Sequence, residues 1–233
     1  EEEEEVPECE NPVEIYDADG HTDIQGQVTF ENVHFGYRPD KIIIHDFSMY
    51  IKPGRKIAIV GPTGAGKTTI IKLLMRFYEL NSGTIYIDGI PTTQMRRSDL
   101  RSLFGMVLQD AWLFGGTVME NLRYGRPDAT DEEVIKAADA AYVDHFIRTL
   151  DHGYQTVINE ESSNISQGQK QLLTIARAIL SDSRIMILDE ATRSVDTRTE
   201  LSIQNAMDNL MRGRTSFIIA HRHSTIRNAD TIL

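Results

Sequence analysis

Lys56-Ile57-Ala58-Ile59-Val60-Gly61-Pro62-Thr63-Gly64-Ala65-Gly66-Lys67-Thr68-Thr69-Ile70 constrains the chain more than any other stretch. A β-branched apolar run ends at a glycine. A glycine-rich loop follows, and Ile70, Ile71, Leu73, Leu74 and Phe77 then recur with helical spacing. Strand, loop and helix are the context in which GxxxxGK[ST] binds phosphate. Gly61, Gly64 and Gly66 permit backbone angles that a Cβ forbids, so consecutive N–H groups can turn inward around an anion. The helix start adds partial positive charge. Lys67 is expected to reach the β- and γ-phosphates, and the Thr68 hydroxyl to ligate Mg²⁺. Pro62, Thr63, Ala65 and Thr69 complete the expected phosphate contacts. Two glycines, a lysine and a Ser/Thr at this spacing coincide by chance with probability on the order of 1%. The sequence therefore points to a nucleoside triphosphate site.

The 233 residues can form one large α/β domain, or a core with an inserted subdomain. The net charge of −11 argues against nonspecific nucleic-acid binding through a basic surface. Cys9 is the single cysteine, so no internal disulfide can form. No apolar run is long enough to span a bilayer. The chain starts with five glutamates and stops at Thr231-Ile232-Leu233, which reads as the start of a strand. The expectation is a piece of a longer polypeptide.

Residues 1 to about 25 are acidic, interrupted by Pro7 and Pro12, and read as a solvated linker. Val28, Phe30, Val33 and Phe35 then alternate as in a strand. Further strands are expected at residues 47–51, 83–87, 103–108, 184–188 and 216–220, with turns at Pro53-Gly54 and Asp88-Gly89. Thr130-Asp131-Glu132-Glu133 is a capping box, behind which Val134, Ile135, Ala138, Ala141 and Tyr142 share one helical face. A second helix is expected over residues 166–180, with Leu172, Leu173, Ile175, Ala176, Ile179 and Leu180 on its apolar side. This middle region reads as mainly helical and inserted.

Two further places carry chemistry. Ile185-Met186-Ile187-Leu188-Asp189-Glu190 is an apolar strand ending in two carboxylates. Beside a phosphate loop, Asp189 would hold Mg²⁺ through water, and Glu190 would orient and deprotonate the attacking water. Asn164-Ile165-Ser166-Gln167-Gly168-Gln169-Lys170-Gln171 opens an amphipathic helix with Ser166 as N-cap. By itself that segment is only a capped helix start.

The phosphate loop, Gln109, Ser166-Gln167-Gly168-Gln169, Leu188-Asp189-Glu190-Ala191-Thr192 and His221 occur in the order found in ATP-binding cassette proteins. Over residues 26 to 233 the chain resembles the nucleotide-binding domain of an ABC transporter. The run from Gly105 through Trp112, Phe114 and Thr117 to Leu122 resembles the exporter branch, in which a membrane domain precedes the cassette on the same polypeptide. The resemblance implies the roles of individual residues. Tyr37 matches the aromatic that stacks on adenine. Gln109 matches the glutamine that touches Mg²⁺ and couples to the membrane domain. Ser166, Gln167, Gly168 and Gln169 match the signature, which contacts the γ-phosphate of nucleotide held by an opposing cassette. Ser194-Val195-Asp196 match the D-loop, and His221 matches the switch histidine.

The departures are specific. Gln167 stands where the family motif carries its first glycine. Arg193 replaces a small residue, His223 a leucine, and Asn159 and Ser162 replace glycines that precede the signature.

The resemblance implies an α/β phosphate-loop NTPase of the ABC ATPase fold. It would have a RecA-like core, an antiparallel β-subdomain and an α-helical subdomain inserted at about residues 110–182. Residues 1–25 would link it to a membrane domain, and its C-terminal end would be truncated. The implied function is an ATP-hydrolysing motor of an exporter, using ATP and Mg²⁺ at the cytoplasmic face of the cell membrane. Its partners would be a transmembrane domain of the same polypeptide and a second cassette, with no nucleic acid. Intact Lys67, Asp189, Glu190 and His221 beside the altered signature imply a heterodimer whose partner has a degenerate catalytic site. The alternatives are a soluble ABC ATPase of DNA repair or translation, or a regulatory cassette that binds ATP without efficient hydrolysis. The catalytic acid Glu190 argues against the last.

Overall fold

The computed structural model describes residues 9–18, 20–38, 40–62, 64–159, 164–189, 196–220 and 223–233. The chain forms two compact units. The first comprises Glu1–Phe104, Arg184–Ile187 and Gly213–Leu233, and the second Gly105–Ser183 and Leu188–Arg212.

In chain order the strands and helices are β1 (Val28–Phe35), β2 (Ile44–Ile51), β3 (Lys56–Ile59), α1 (Lys67–Leu74), β4 (Ser82–Ile87), β5 (Ile90–Pro91) and α2 (Arg97–Ser102). Then come β6 (Phe104–Val107), β7 (Gly116–Thr117), α3 (Val118–Arg123), α4 (Asp131–Ala140), α5 (Asp144–Thr149), β8 (Val157–Ile158) and α6 (Gln167–Ser181). The last are β9 (Ile185–Asp189), α7 (Thr197–Met211), β10 (Thr215–Ile219), α8 (His223–Arg227) and β11 (Thr231–Ile232).

In the first unit, β2-β1-β4-β5 form an antiparallel sheet. Val28 faces Ile51 on one side and Ile87 on the other, and Phe30 faces Met49 and Ile85. Buried positions in β1 step from 28 and 30 to 33 and 35, which breaks strict alternation. A register shift between Phe30 and Val33 accounts for the step, with Asn32 in the left-handed region at φ 48. One extra residue in the strand returns the apolar side chains to the core face.

The second sheet runs β11-β3-β10-β9-β6. Ile57 of β3 lies parallel to Phe217 of β10 and to Thr231 of β11. A central parallel strand is covered on both faces, which is why β3, β9 and β10 read as continuous apolar runs. Ile57, Ile59, Ile185, Ile187 and Phe217 meet Ile71, Leu73 and Leu74 of α1 in one core, together with Val28, Phe30, Ile85 and Ile87. The Asp230 carboxylate fastens β11 beside β3, accepting the Lys56 N–H at 2.8 Å and pairing with Arg55 at 2.9 Å.

The expectation of a solvated N-terminal linker does not hold within residues 13 to 24. Ile15 and Ile24 are buried in the core of the first unit. The Val13 N–H donates to the Gln94 carbonyl at 2.7 Å, and Tyr16 Oη and Ser102 Oγ are 2.7 Å apart. Acidic composition masked two side chains with core affinity.

In the second unit, α6 packs against α3, α4 and α7. It is therefore buried on most sides: Leu172, Leu173, Ile175, Ala176, Ala178 and Leu180 are core residues. At Gly125, just past α3, a Cβ would lie 2.2 Å from the Arg177 carbonyl oxygen, so only glycine allows this approach. Arg177 in turn donates to Asn121 O at 2.9 Å, Asn121 Oδ1 at 3.0 Å and Trp112 O at 3.2 Å. Burial pushes its guanidinium below the usual value.

The expected capping box opens α4. Tyr142, assigned to its apolar face, instead lies beyond the helix at φ 58 and is 51% exposed. The chain turns left-handed there to enter α5, which swings the ring out.

Candidate nucleotide-binding site

The first unit holds the phosphate loop. Gly61, Gly64 and Gly66 have φ of 147, 85 and 87, values at which side-chain-bearing residues are strained. Gly66 is the N-cap of α1, and no side chain caps the helix. The first turn of α1 carries no acidic residue. Leading helix N–H groups have no intrahelical acceptor, so this terminus presents donors and uncancelled positive potential to an anion. Lys67 Nζ donates to the carbonyls of Gly61 at 2.6 Å and Pro62 at 3.0 Å, which folds the ammonium over the loop. Ala65 closes the loop by donating to Pro62 O at 3.1 Å. Thr68 is exposed at the second position of α1, while Thr69 is buried.

Tyr37 lies in the same unit, between β1 and the antiparallel bridge Arg38–Lys41. Its Oη is 3.0 Å from Thr69 Oγ1. Its ring stands nearly perpendicular to Phe35 at 5.0 Å and to Tyr78 at 5.1 Å. The fold thus brings Tyr37 to the first turn of the helix that carries Lys67 and Thr68. Gly36 makes this possible: a Cβ there would lie 2.1 Å from the Lys41 carbonyl oxygen. The Gly36 N–H donates to Asn81 Oδ1 at 2.7 Å. Sequence reasoning found Tyr37 but passed over Gly36, Tyr78 and Asn81. The last two are more than forty positions away in the chain, and no local pattern connects them to it.

Among the described residues, the other site residues lie in the second unit. Gln109 is half-buried just after β6. Asp189 ends β9 with its Oδ1 buried. Ser166 caps α6: its Oγ accepts the Gln169 N–H at 3.4 Å, and Gln169 Oε1 accepts the Ser166 N–H at 3.0 Å. The hydroxyl proton of Ser166 remains available, since a hydroxyl accepts and donates at once. Gln167 is the first residue of α6 and exposed, whereas Gly168 is buried.

Asp196 has a structural role that the sequence reading omitted. It is the N-cap of α7 and accepts from the N–H groups of Arg198 and Thr199 at 3.1 and 3.0 Å. The Thr199 N–H holds its carboxyl below the usual aspartate value. Thr63, Ser162, Glu190, Arg193, Ser194, Val195 and His221 lie outside the described residues.

Thr68, Gln109 and Asp189 offer hydroxyl, amide and carboxylate oxygens. Each is a hard donor of the kind that Mg²⁺ takes.

Residues 44–193 match the family model described as ABC transporter. The chain belongs to the ABC transporter family. It is 59% identical over 210 residues to the "Fatty acid ABC transporter ATP-binding/permease protein" of Mycobacterium tuberculosis, a match covering 90% of this chain and 33% of that protein. It is 48% identical over 211 residues to the "Beta-(1-->2)glucan export ATP-binding/permease protein NdvA" of Brucella suis, covering 91% of this chain and 35% of that one. Among solved structures, a bacterial Atm1-family ABC exporter with ATP bound superposes with a TM-score of 0.82 at 42% identity. That alignment covers 98% of this chain and 38% of the exporter chain. The cassette thus spans about a third of the length of these relatives. Its fold is the ABC ATPase fold, and it is an ATP-binding cassette.

Proposed function

We propose that this cassette is the ATP-hydrolysing motor of an exporter, joined to a membrane domain on the same polypeptide and working at the cytoplasmic face of the membrane. The observation that carries the reading is the cradle formed by three positive-φ glycines, an uncapped α1 and Lys67 folded over the loop. Its geometry suits a triphosphate. On binding, the Lys67 ammonium exchanges two neutral carbonyls for charged phosphate oxygens, and charge-assisted hydrogen bonds are the stronger kind.

Mg²⁺ would be held by Thr68 directly, by Asp189 through water and by Gln109, and would supply charge neutralisation at the phosphates. Glu190 would orient and deprotonate the attacking water, and His221 would hydrogen-bond the γ-phosphate. The altered signature supports pairing with a different cassette, one with a degenerate catalytic site. Each composite site takes its phosphate loop from one chain and its signature from the other. The names of the relatives, two of which are ATP-binding/permease proteins, support the membrane partner. So does an exposed aromatic cluster: Trp112, Phe114 and Tyr124 have ring centroids 5.8 to 6.5 Å apart, and Trp112 and Tyr124 are more than half exposed. The cargoes in those names differ, which supports cargo choice by the membrane half.

The experiment compares two variants of the full-length protein. Lys67→Ala is expected to lose tight MgATP binding in calorimetry. Glu190→Gln keeps the shape of the acid and removes the base, so turnover should fall about 10²–10⁴-fold while ATP still binds. Wild-type turnover in Glu190→Gln would refute the assignment of the base. Unchanged ATP affinity in Lys67→Ala would refute the site.

A further inference from the structure

We propose that Tyr78 and Thr69 are positioning residues that hold the Tyr37 ring at a set distance from the phosphate loop, making α1 the ruler between base and triphosphate. The inference rests on Tyr37 being the base platform.

Tyr37 follows the end of β1 and precedes the Arg38–Lys41 bridge, so no sheet ladder fixes its side chain. Three contacts fix it instead. Phe35 and Tyr78 stand at 82° and 85° to its plane, with centroids 5.0 and 5.1 Å away. Such edge-to-face packing is favourable and directional, so two perpendicular neighbours define the plane of the ring. The third contact holds its far end, where Oη and Thr69 Oγ1 are 3.0 Å apart. Thr69 is 5% exposed, so water competes little for that bond. Tyr37 itself is 46% exposed, which leaves ring surface for a flat ligand.

One clamp lies on the phosphate-binding helix and the other just beyond it. Thr69 is its third residue, two after Lys67. Tyr78 lies four residues past its end, steadied by Phe35 at 5.8 Å and by Lys72 Nζ, 5.5 Å from the ring centroid. The platform is therefore registered against the helix whose N-terminus receives phosphate. A ligand that engages both must carry a flat base joined to a phosphate chain. A triphosphate without a base does not engage the Tyr37 ring and should not sense the loss of Tyr78.

The test measures binding to the full-length protein by calorimetry, with Mg²⁺ and either ATP or inorganic tripolyphosphate. Tyr78→Ala and Thr69→Val should each weaken ATP about three- to tenfold, part of what a stacked base contributes. In Tyr78→Ala, tripolyphosphate affinity should stay within about twofold. Tyr78→Phe and Thr69→Ser, which keep the ring and the hydroxyl, should bind ATP as wild type does. Tyr37→Phe removes the same hydrogen bond from its other end, so Tyr37→Phe/Thr69→Val should be no weaker than either single variant.

Tyr37→Ala separates the two readings. If it weakens ATP while Tyr78→Ala and Thr69→Val do not, the platform stands and the clamp is refuted. If Tyr37→Ala leaves ATP affinity unchanged, the platform itself is refuted. A parallel loss of tripolyphosphate affinity in Tyr78→Ala would mean a general loosening of α1, which also overturns the proposal.

Discussion

At Gly36 the fold leaves no choice of residue. A Cβ would sit 2.1 Å from the Lys41 carbonyl oxygen and 2.9 Å from the Ile42 Cα, both backbone atoms that no rotamer change can move aside. The β1–β2 connection would have to open, and the next residue in the chain is Tyr37. Gly36→Ala is therefore expected to lower stability by about 2–4 kcal/mol, the range in which backbone conflicts fall. It should also weaken ATP more than tripolyphosphate, because the displaced ring serves the base and not the phosphates. Equilibrium denaturation and paired titrations check both parts. Gly64 makes an instructive contrast: a Cβ there meets nothing within 4 Å, and the demand for glycine comes only from φ 85. Two glycines in one site thus answer different constraints, one steric contact and one backbone angle.

At the scale of elements, helix starts and strand ends carry much of the order. The Ser166–Gln169 capping box opens α6, the helix at the centre of the second unit. Ser166→Ala should cost about 1 kcal/mol in chemical denaturation, and Ser166→Asn should recover most of it, since both residues cap well. Asp230 sets a pH dependence for the first unit. The Lys56 N–H, with help from Arg55, holds its carboxyl below the usual aspartate range. A depressed folded-state pKa contributes stability that is present above the unfolded value near 4 and is lost as pH falls through the lower folded value. Asp230→Asn should therefore reduce the fall in melting temperature between about pH 5 and pH 2 relative to wild type. An identical acid limb in the two proteins would count against the latch.

These elements were unequally legible in the sequence. β3, β9 and β10 were plain because their two covered faces demand unbroken apolar runs. The capping box at Thr130 and the N-cap at Ser166 were plain because a cap is a local contact between residues three apart. α7 was missed, although Asp196 caps it and Ile203, Ala206 and Leu210 form its buried stripe. Its polar residues outnumber that stripe, and the preceding carboxylates had drawn the reading toward catalysis. Ile15 and Ile24 were hidden among acids. The Tyr37–Tyr78 and Gly36–Asn81 contacts had no sequence signal at all, because they exist only once β1 and α1 share a core.

For the whole molecule, the open matter is the second cassette, and position 167 bears on it. Gln167 is the first residue of α6, with helical backbone and an exposed side chain, so the chain's own fold has no need of glycine there. Glycine in a helix is less favourable than glutamine by up to about 1 kcal/mol. Gln167→Gly should therefore leave stability unchanged or slightly reduced, and any gain in turnover cannot come from a better-folded cassette. In the proposed head-to-tail dimer the Gln167 side chain would crowd nucleotide held by the partner, where glycine lets backbone approach phosphate. The full-length protein purified alone would then place that crowding at both sites. It is expected to hydrolyse ATP slowly, and Gln167→Gly should raise its turnover while the melting temperature holds or falls. Brisk turnover of the protein alone, unmoved by the substitution, would make a symmetric dimer the working form and Gln167 an ordinary helix-start residue.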